Sequence, residues 1–304
     1  MSIRELQVLG TASQTPTRER NHNGYLLRWD QHGILFDPGE GTQRQFSHAG
    51  LSPSVITQIC LTHFHGDHCL GLPGILMRLS ADQISHAVDL HYPASGEMYL
   101  QRLRHSSIGH DNLDLHLHPI DTPELHLIHS DGDLMIRAAR LNHRVEAFGY
   151  RVEAPSGVRM IPELLQQHGV TGPLIGELRD QGDVTIDGRR VNIEEVSEHR
   201  PGQVFAFIMD TAWCSAAVDL ARGADLVVCE STFTENEAEL AAATGHLTAR
   251  QAGLIAAEAG ARHLVLGHYS QRYPDAEIFR AEASEVFPDV TAARDFDRIT
   301  IPRR

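Results

Sequence analysis

The chain has 304 residues, 41% of them hydrophobic, which is enough for a substantial core and excludes a disordered or low-complexity protein. With 40 acidic against 26 basic side chains and a formal charge of −14, it does not coat nucleic acid through a uniformly basic surface, and no DNA partner is expected. The opening residues Met1-Ser2-Ile3-Arg4-Glu5-Leu6 form no apolar leader, no run approaches the roughly 20 apolar residues of a membrane span, and the four cysteines show no Cys-x-x-Cys spacing; a cytoplasmic protein with reduced thiols and no membrane association is expected.

Residues 3–9 and 24–29 read as strands flanking a polar loop from Gly10 to Asn23, and Ile34-Leu35-Phe36 is a third strand ended by Asp37-Pro38-Gly39. A helix over Thr42 to Ala49 and a strand over Val55 to Thr62 follow, and Asp67 is placed to N-cap a helix running to about Ser80. Strands near Val88 to Tyr92 and Leu113 to Ile120 come next, with a helix between them. Leu125 to Ile128 and Leu134 to Leu141 flank an Asp131-Gly132 turn, and Phe148 to Val152 resumes the sheet. From about 154 to 200 the texture changes to a helix over Pro162 to His168, a Gly172-Pro173 turn and a hairpin at Asp187-Gly188, which reads as an insertion into a single domain spanning 1–304. The core pattern returns at Val204 to Met209, a continuous apolar run typical of a strand buried on both faces. Helices over Ser215 to Arg222, Glu235 to Ala243 and Thr248 to Ala259 then alternate with strands over Asp225 to Cys229 and His263 to Leu266. Hairpins in the first half and β-α alternation in the second predict an α/β fold of two packed sheets with helices outside.

Chemistry concentrates at Leu61-Thr-His-Phe-His-Gly-Asp-His-Cys-Leu70, where His63, His65, Asp67 and His68 lie within six positions after an apolar strand. His63 and His65, two apart on an extended chain, share a face and can meet one ion, so Asp67 and His68 must aim at another. Two adjacent metal pockets result. Mixed nitrogen and oxygen donors suit Zn²⁺ first, with Mn²⁺ and Fe²⁺ as alternatives. His143, Asp210, Glu230 and His268 also fall at or just past the ends of apolar runs, where sites of α/β proteins are built. Asp210 is the candidate bridging carboxylate, and His143 and His268 would complete one pocket each. His105, His110, His116, His118, His126 and His129 have no such placement and read as solvent-exposed.

His63-Phe64-His65-Gly66-Asp67-His68 resembles the His-x-His-x-Asp-His motif of the metallo-β-lactamase superfamily, and His143, Asp210 and His268 follow in that superfamily's order. More narrowly, Pro16-Thr17-Arg18-Glu19-Arg20-Asn21, Gly172-Pro173-Leu174, Glu230-Ser231-Thr232-Phe233, Gly245-His246-Leu247-Thr248 and His268-Tyr269-Ser270-Gln271-Arg272-Tyr273 resemble loops of the ribonuclease Z family, from about residue 3 to about 300. The resemblance implies the metallo-β-lactamase fold, an αββα four-layer sandwich with an inserted flexible arm at about 154–200. It further implies two Zn²⁺ ions per subunit, His63, His65 and His143 holding one, Asp67, His68 and His268 the other, and Asp210 bridging, in agreement with the assignment from spacing. A homodimer acting on tRNA precursors is implied too, with removal of the 3′ trailer by a zinc-activated water leaving a 3′-hydroxyl on the tRNA. Arg18 stands where the family has Lys, Cys229 where it has His, and Leu247 where it has Ser; Glu177, Arg179, Asp180 and Gln181 replace the lysines expected after the Gly-Pro motif.

Within that reading Asp67 accepts a proton from the nucleophilic water, and His246, oriented by Glu230, serves the departing oxygen. Arg18, Arg20, Asn21, Thr232, Ser270, Arg272, Gly172 and Pro173 are the candidate substrate-binding residues, and Arg151, Arg159, Arg189 and Arg190 could offset the nearly neutral arm. The acidic charge and that arm leave open a metal-dependent phosphodiesterase acting on a small ester. A noncatalytic RNA-binding protein is the third reading, against which the complete ligand set argues; a diiron redox centre is disfavoured by His65 at the position where Glu would be expected.

Overall fold

The structure is a computed structural model that describes residues 3–108 and 112–304; His110, expected to be exposed, lies outside the described residues. Its strands in chain order are β1 (Arg4–Gly10), β2 (Gly24–Trp29), β3 (His32–Phe36), β4 (Gln58–Cys60), β5 (Val88–Pro93), β6 (Leu115–Ile120), β7 (His126–Ser130), β8 (Met135–Arg140), β9 (Phe148–Glu153), β10 (Gly157–Met160), β11 (Asp183–Ile186), β12 (Arg189–Asn192), β13 (Ser197–Arg200), β14 (Val204–Ile208), β15 (Leu226–Glu230), β16 (Leu264–Gly267), β17 (Val290–Ala292) and β18 (Arg298–Thr300). Two seven-stranded sheets result, in the orders β18-β1-β2-β3-β4-β5-β6 and β17-β16-β15-β14-β9-β8-β7.

The first half is less antiparallel than its sequence suggests. In the first sheet β1, β2 and β3 form hairpins, whereas β3 to β6 run parallel. Helices Thr42–His48, Leu72–Ala81 and Glu97–Arg104 supply the crossovers that parallel strands require. The hairpin strands β7, β8 and β9 belong to the second sheet, beside the parallel set β14 to β17.

Three apolar clusters define the layers. Leu6, Val8, Tyr25, Phe36, Phe205 and Phe207 fill the space between the sheets; Phe46, Ile75, Leu79 and Leu100 pack helices onto the first sheet; Leu220, Ile255 and Phe279 pack helices onto the second. This is the αββα sandwich of the metallo-β-lactamase fold. Phe36 stacks on Phe207 with ring centroids 4.5 Å apart, joining the two sheets. Such a pair contributes roughly 0.5–1.5 kcal/mol beyond its buried area. The Tyr150 hydroxyl also crosses the interface, donating to the Leu61 carbonyl at 2.6 Å and so fixing the strand that leads into the His-rich motif.

Asp67 is not a helix cap. The motif forms a four-residue turn of helix, Gly66–Cys69, whose N-cap is His65, and a separate helix begins at Leu72 behind Gly71. Gly71 is required there: a Cβ on it would lie 2.0 Å from the Gly39 carbonyl oxygen, so only glycine lets the 38–39 loop press against the segment carrying Asp67 and His68.

Residues 157–200 leave the second sheet as the ribbon β10–β13 and carry the hairpin β11–β12 with a small core of their own around Leu165, Val170, Leu178, Val184, Val191 and Val196. Helix Pro173–Gln181 was not legible; Gly172, at φ 57°, is its N-cap and Pro173 its first residue. Pro there costs nothing, because the first helical N–H has no intrahelical acceptor.

Candidate metal centre

Strands of both sheets end at one edge, and there the chain turns sharply. Asp37 follows β3, Asp210 follows β14 and His268 follows β16, with φ of 45°, 51° and 60°. Side chains larger than glycine pay of order 1–3 kcal/mol for this left-handed backbone, and such positions concentrate at sites.

The turns bring two donor sets together. Ligand atoms of His63, His65, His143 and Asp210 lie within 4.8 Å of one another, and so do those of Asp67, His68 and His268. Asp210 faces both: its Oδ2 is 3.5 Å from His63 Nε2 and 3.7 Å from His143 Nε2, while its Oδ1 is 3.3 Å from His68 Nε2 and 3.1 Å from His268 Nε2.

Hydrogen bonds on the far side of the His63, His68, His143 and His268 rings fix their tautomers, while His65 turns its Nδ1 inward, 2.8 Å from His63 Nε2. Thr62 Oγ1 donates to Asp37 Oδ2 at 2.7 Å, so it accepts from His63 Nδ1 at 3.0 Å. His68 Nδ1 donates to Asp37 Oδ2 at 2.8 Å, and His143 Nδ1 donates to the Gly245 carbonyl at 2.9 Å. Thr232 Oγ1 donates to Glu230 Oε2 at 2.6 Å and accepts from His268 Nδ1 at 2.9 Å. With those four Nδ1 atoms protonated, the Nε2 atoms of His63, His68, His143 and His268 all point inward. As neutral rings, His68 Nε2 and His268 Nε2 would meet lone pair to lone pair at 3.1 Å. Asp210 Oδ1, fully enclosed, has no hydrogen-bond partner. Such an arrangement is unfavourable by itself and favourable around cations, with the outward bonds setting ring orientation.

Electrostatics agree for His63, His65, Asp67 and Asp210, and His68 is the exception. Burial, then repulsion from His68, holds His63 well below the usual imidazole range, and burial lowers His65. Burial opposes ionisation of Asp67 and Asp210, but the surrounding histidines override it and keep both carboxylates well below their ordinary range. His68 is driven the other way: Asp210, Asp67 and Asp37 outweigh its burial and raise it well above. Neutral imidazoles and ionised carboxylates are the forms that bind metal.

His246 and Glu230 are joined as anticipated from the sequence, His246 Nδ1 to Glu230 Oε1 at 3.0 Å. Burial works against a charged His246, but Glu230 and Asp210 overcome it and push the ring up to about 9. Glu230 is buried and also accepts from the backbone N–H of Thr211 and Leu247, so it is rigidly held.

A cleft of about 540 Å³ opens over this centre, lined by His65, Asp67, His143, Asp210, Thr232, His246, His268, Ser270 and Arg272, with Ser13, Gln14 and His22 opposite. Other expected substrate contacts lie elsewhere. Arg18 is exposed outside the cleft; Arg20 packs over the Tyr269 ring and donates to the Pro274 carbonyl; Asn21 bonds Glu40 O and receives its own anchor from Asp295. Gly172 and Pro173 sit on the arm. Thr232 lines the cleft, but its hydroxyl is committed to Glu230 and His268. Of the arginines expected to offset the arm's neutrality, Arg159, Arg189 and Arg190 pair with Glu198, Glu195 and Asp183, and Arg151 is turned into the second sheet onto Glu153 and the Leu220 and Arg222 carbonyls. Asp37, which fixes His68 and Thr62, is a further functional residue, and its sequence signal is the one Asp210 carries, a carboxylate at the end of an apolar run.

Residues 17–145 match the model of the metallo-beta-lactamase superfamily. The chain is 54% identical over 305 residues to ribonuclease Z of Nocardia farcinica, covering the whole of both, and 53% identical to ribonuclease Z of Salinispora arenicola, covering 100% of this chain and 98% of the other. Among solved structures, human tRNase Z, short form, superposes with a TM-score of 0.72 at 25% identity, over 98% of this chain and 100% of that one. Full-length identity of this order, together with the fold and the two converging donor sets, establishes the family: the chain belongs to the ribonuclease Z family of the metallo-β-lactamase superfamily.

Proposed function

We propose that the protein is a zinc-dependent endoribonuclease that removes the 3′ trailer from tRNA precursors, leaving a 3′-hydroxyl on the tRNA. The observation that carries this is the inward convergence of four imidazole Nε2 atoms around the partnerless Asp210 carboxylate oxygen, beneath an open cleft. His63, His65 and His143 would hold one Zn²⁺ and Asp67, His68 and His268 the other, with Asp210 shared. When bound, the two cations supply an activated water and offset the charge of the attacked phosphodiester.

The chain's own groups do the rest. Asp67, on the cleft wall, takes the proton of the attacking water. His246, held charged by Glu230, gives a proton to the departing oxygen or stabilises its charge. Ser270 and Arg272 border the cleft, while Arg18, Arg20 and Asn21 and the arm at about 154–200, with Gly172 and Pro173, would bind the tRNA body outside it. The domain 1–304 would work as a cytoplasmic homodimer. Exposed Met77, Met98 and Tyr99, on the helices next to the motif, are the apolar side chains a second subunit would cover. No helix among the described residues is long and apolar enough to cross a membrane.

A second reading, a phosphodiesterase acting on a small ester, is favoured by one observation: Arg159, Arg189 and Arg190 of the arm are paired with the arm's own carboxylates. Cleavage mapping on a 3′-extended tRNA precursor, beside turnover of bis(p-nitrophenyl) phosphate and metal content by elemental analysis, separates the two. Strong preference for the precursor, with a single cut at the 3′ side of the tRNA body, supports the endoribonuclease; equal efficiency on both substrates favours the small-ester reading.

A further inference from the structure

A second group of histidines lies away from the cleft, on strands where sequence reading expected exposed side chains. In β6 the residues Leu115 and Leu117 pack toward the helix layer, which turns His116 and His118 to the opposite face. The parallel register sets His116 beside Asp89 and His118 beside His91, and Asp89 beside Gln58. Donor atoms of Asp89, His116 and His118 lie within 4.8 Å of one another. His118 Nε2 is 2.8 Å from Asp89 Oδ1, and His116 Nδ1 is 3.4 Å from the same oxygen. Neighbouring donors around a tetrahedral zinc ion stand about 3.3 Å apart, given bond lengths near 2.0 Å, so these spacings need only small adjustments.

Support for those three is already in place. Buried Gln58 donates to Asp89 Oδ2 at 2.9 Å and accepts from His91 Nε2 at 2.9 Å. The His91 ring stacks on His118, with centroids 4.9 Å apart, and Asp114 holds His116 Nε2 at 3.1 Å, leaving Nδ1 toward Asp89. From the facing sheet, His129 brings its Nδ1 to 3.9 Å from Asp89 Oδ2. Outward partners that orient ring and carboxylate are what a metal site needs, and a surface cluster of charges lacks them.

We propose that Asp89, His116 and His118 form an auxiliary site for a borderline transition-metal ion, Zn²⁺ in the first instance, with His129 available as a fourth donor. The site ties the edge strand β6 to β5 and to β7 of the other sheet. Gln58 begins the strand that runs on to His63, five residues later, so the site lies on the order of 15 Å from the cleft and takes no part in cleavage.

The test compares metal-stripped protein reloaded from a micromolar zinc buffer, desalted and assayed for zinc by elemental analysis. Wild type is expected to retain one ion per chain more than His116→Ala/His118→Ala, with cleavage of the tRNA precursor unchanged within twofold. Asp89→Asn and the half-exposed His116→Ala carry the same comparison should the double variant fail to fold. Equal zinc content in wild type and folded variants, or an extra ion held only at millimolar zinc, overturns the assignment.

Discussion

Asp37→Asn tests the tautomer argument most directly. The buried carboxylate accepts from Thr62 N–H at 2.7 Å, Thr62 O–H at 2.7 Å and His68 Nδ1–H at 2.8 Å. An amide of the same shape offers one acceptor oxygen and puts an NH₂ where the other stood, so at least one of the three donors must face another donor in a dry environment. An unpaired buried donor costs about 1–3 kcal/mol, and the surviving bonds lose their charge assistance, so a destabilisation of about 2–4 kcal/mol is expected. His68 loses the partner that selects its Nε2 lone pair, and zinc affinity should fall about 10–100-fold. Urea unfolding of the metal-stripped protein measures the first quantity, and competition against a chromophoric chelator the second. An Asn variant with zinc affinity within twofold of wild type would show that Asp37 merely fills space, and the inference from ring orientation to metal binding would fall with it.

Asp67→Ala should reduce turnover of the tRNA precursor to below a few per cent of wild type in metal-replete protein while RNA binding, followed by gel shift, persists; substantial residual cleavage contradicts its role. His246→Ala should lower kcat by about 10²–10⁴ with little change in KM, and a change confined to KM would make it a binding residue. Gly71→Ala drives a methyl group into the Gly39 carbonyl, so a loss of about 1–3 kcal/mol together with weaker zinc binding is expected from denaturation and chelator competition. Burial pushes Asp295, which anchors Asn21 and Thr11, up to about 6 despite those hydrogen bonds. Its folded value exceeds its unfolded one, so its contribution is complete below about pH 4 and lost as pH rises through 6. Relative to Asp295→Asn, wild type should therefore lose about 2 kcal/mol between pH 4.5 and 7, and a pH-independent difference between the two would refute the assignment.

Where the sequence was legible, a local rule coincided with the tertiary answer. An apolar run followed by a polar residue marked His143, Asp210, Glu230 and His268 because sheets bury their strands and release the chain at one edge. The same rule marks Asp37, whose signal is masked by the Pro38-Gly39 turn that follows it. Strand direction was less accessible: β3 to β6 run parallel through short helices, and nothing in an isolated strand records its neighbour's direction. His116, His118, His126 and His129 carry no sequence sign of burial, and the expectation of solvent exposure holds for His116 and fails for His118, His126 and His129, which are partly buried, His118 because the second sheet covers part of its face. Side-chain commitments were invisible for a different reason. Thr232 and Asn21 look free in a loop sequence, and only the folded partners Glu230, His268 and Glu40 show where their polar atoms are spent.

Each donor set draws on both halves of the chain. His63, His65, Asp67 and His68 come from the first sheet, while His143, Asp210 and His268 extend from the second. Neither half could therefore assemble a pocket alone, however well it folded. A bound pair of cations would act as a non-covalent crosslink between two sheets that otherwise meet through side chains such as Phe36 and Phe207. Chelation would then loosen the sandwich along its active edge first, and a chain interrupted between the halves would regain its metals only when the fragments reassociate.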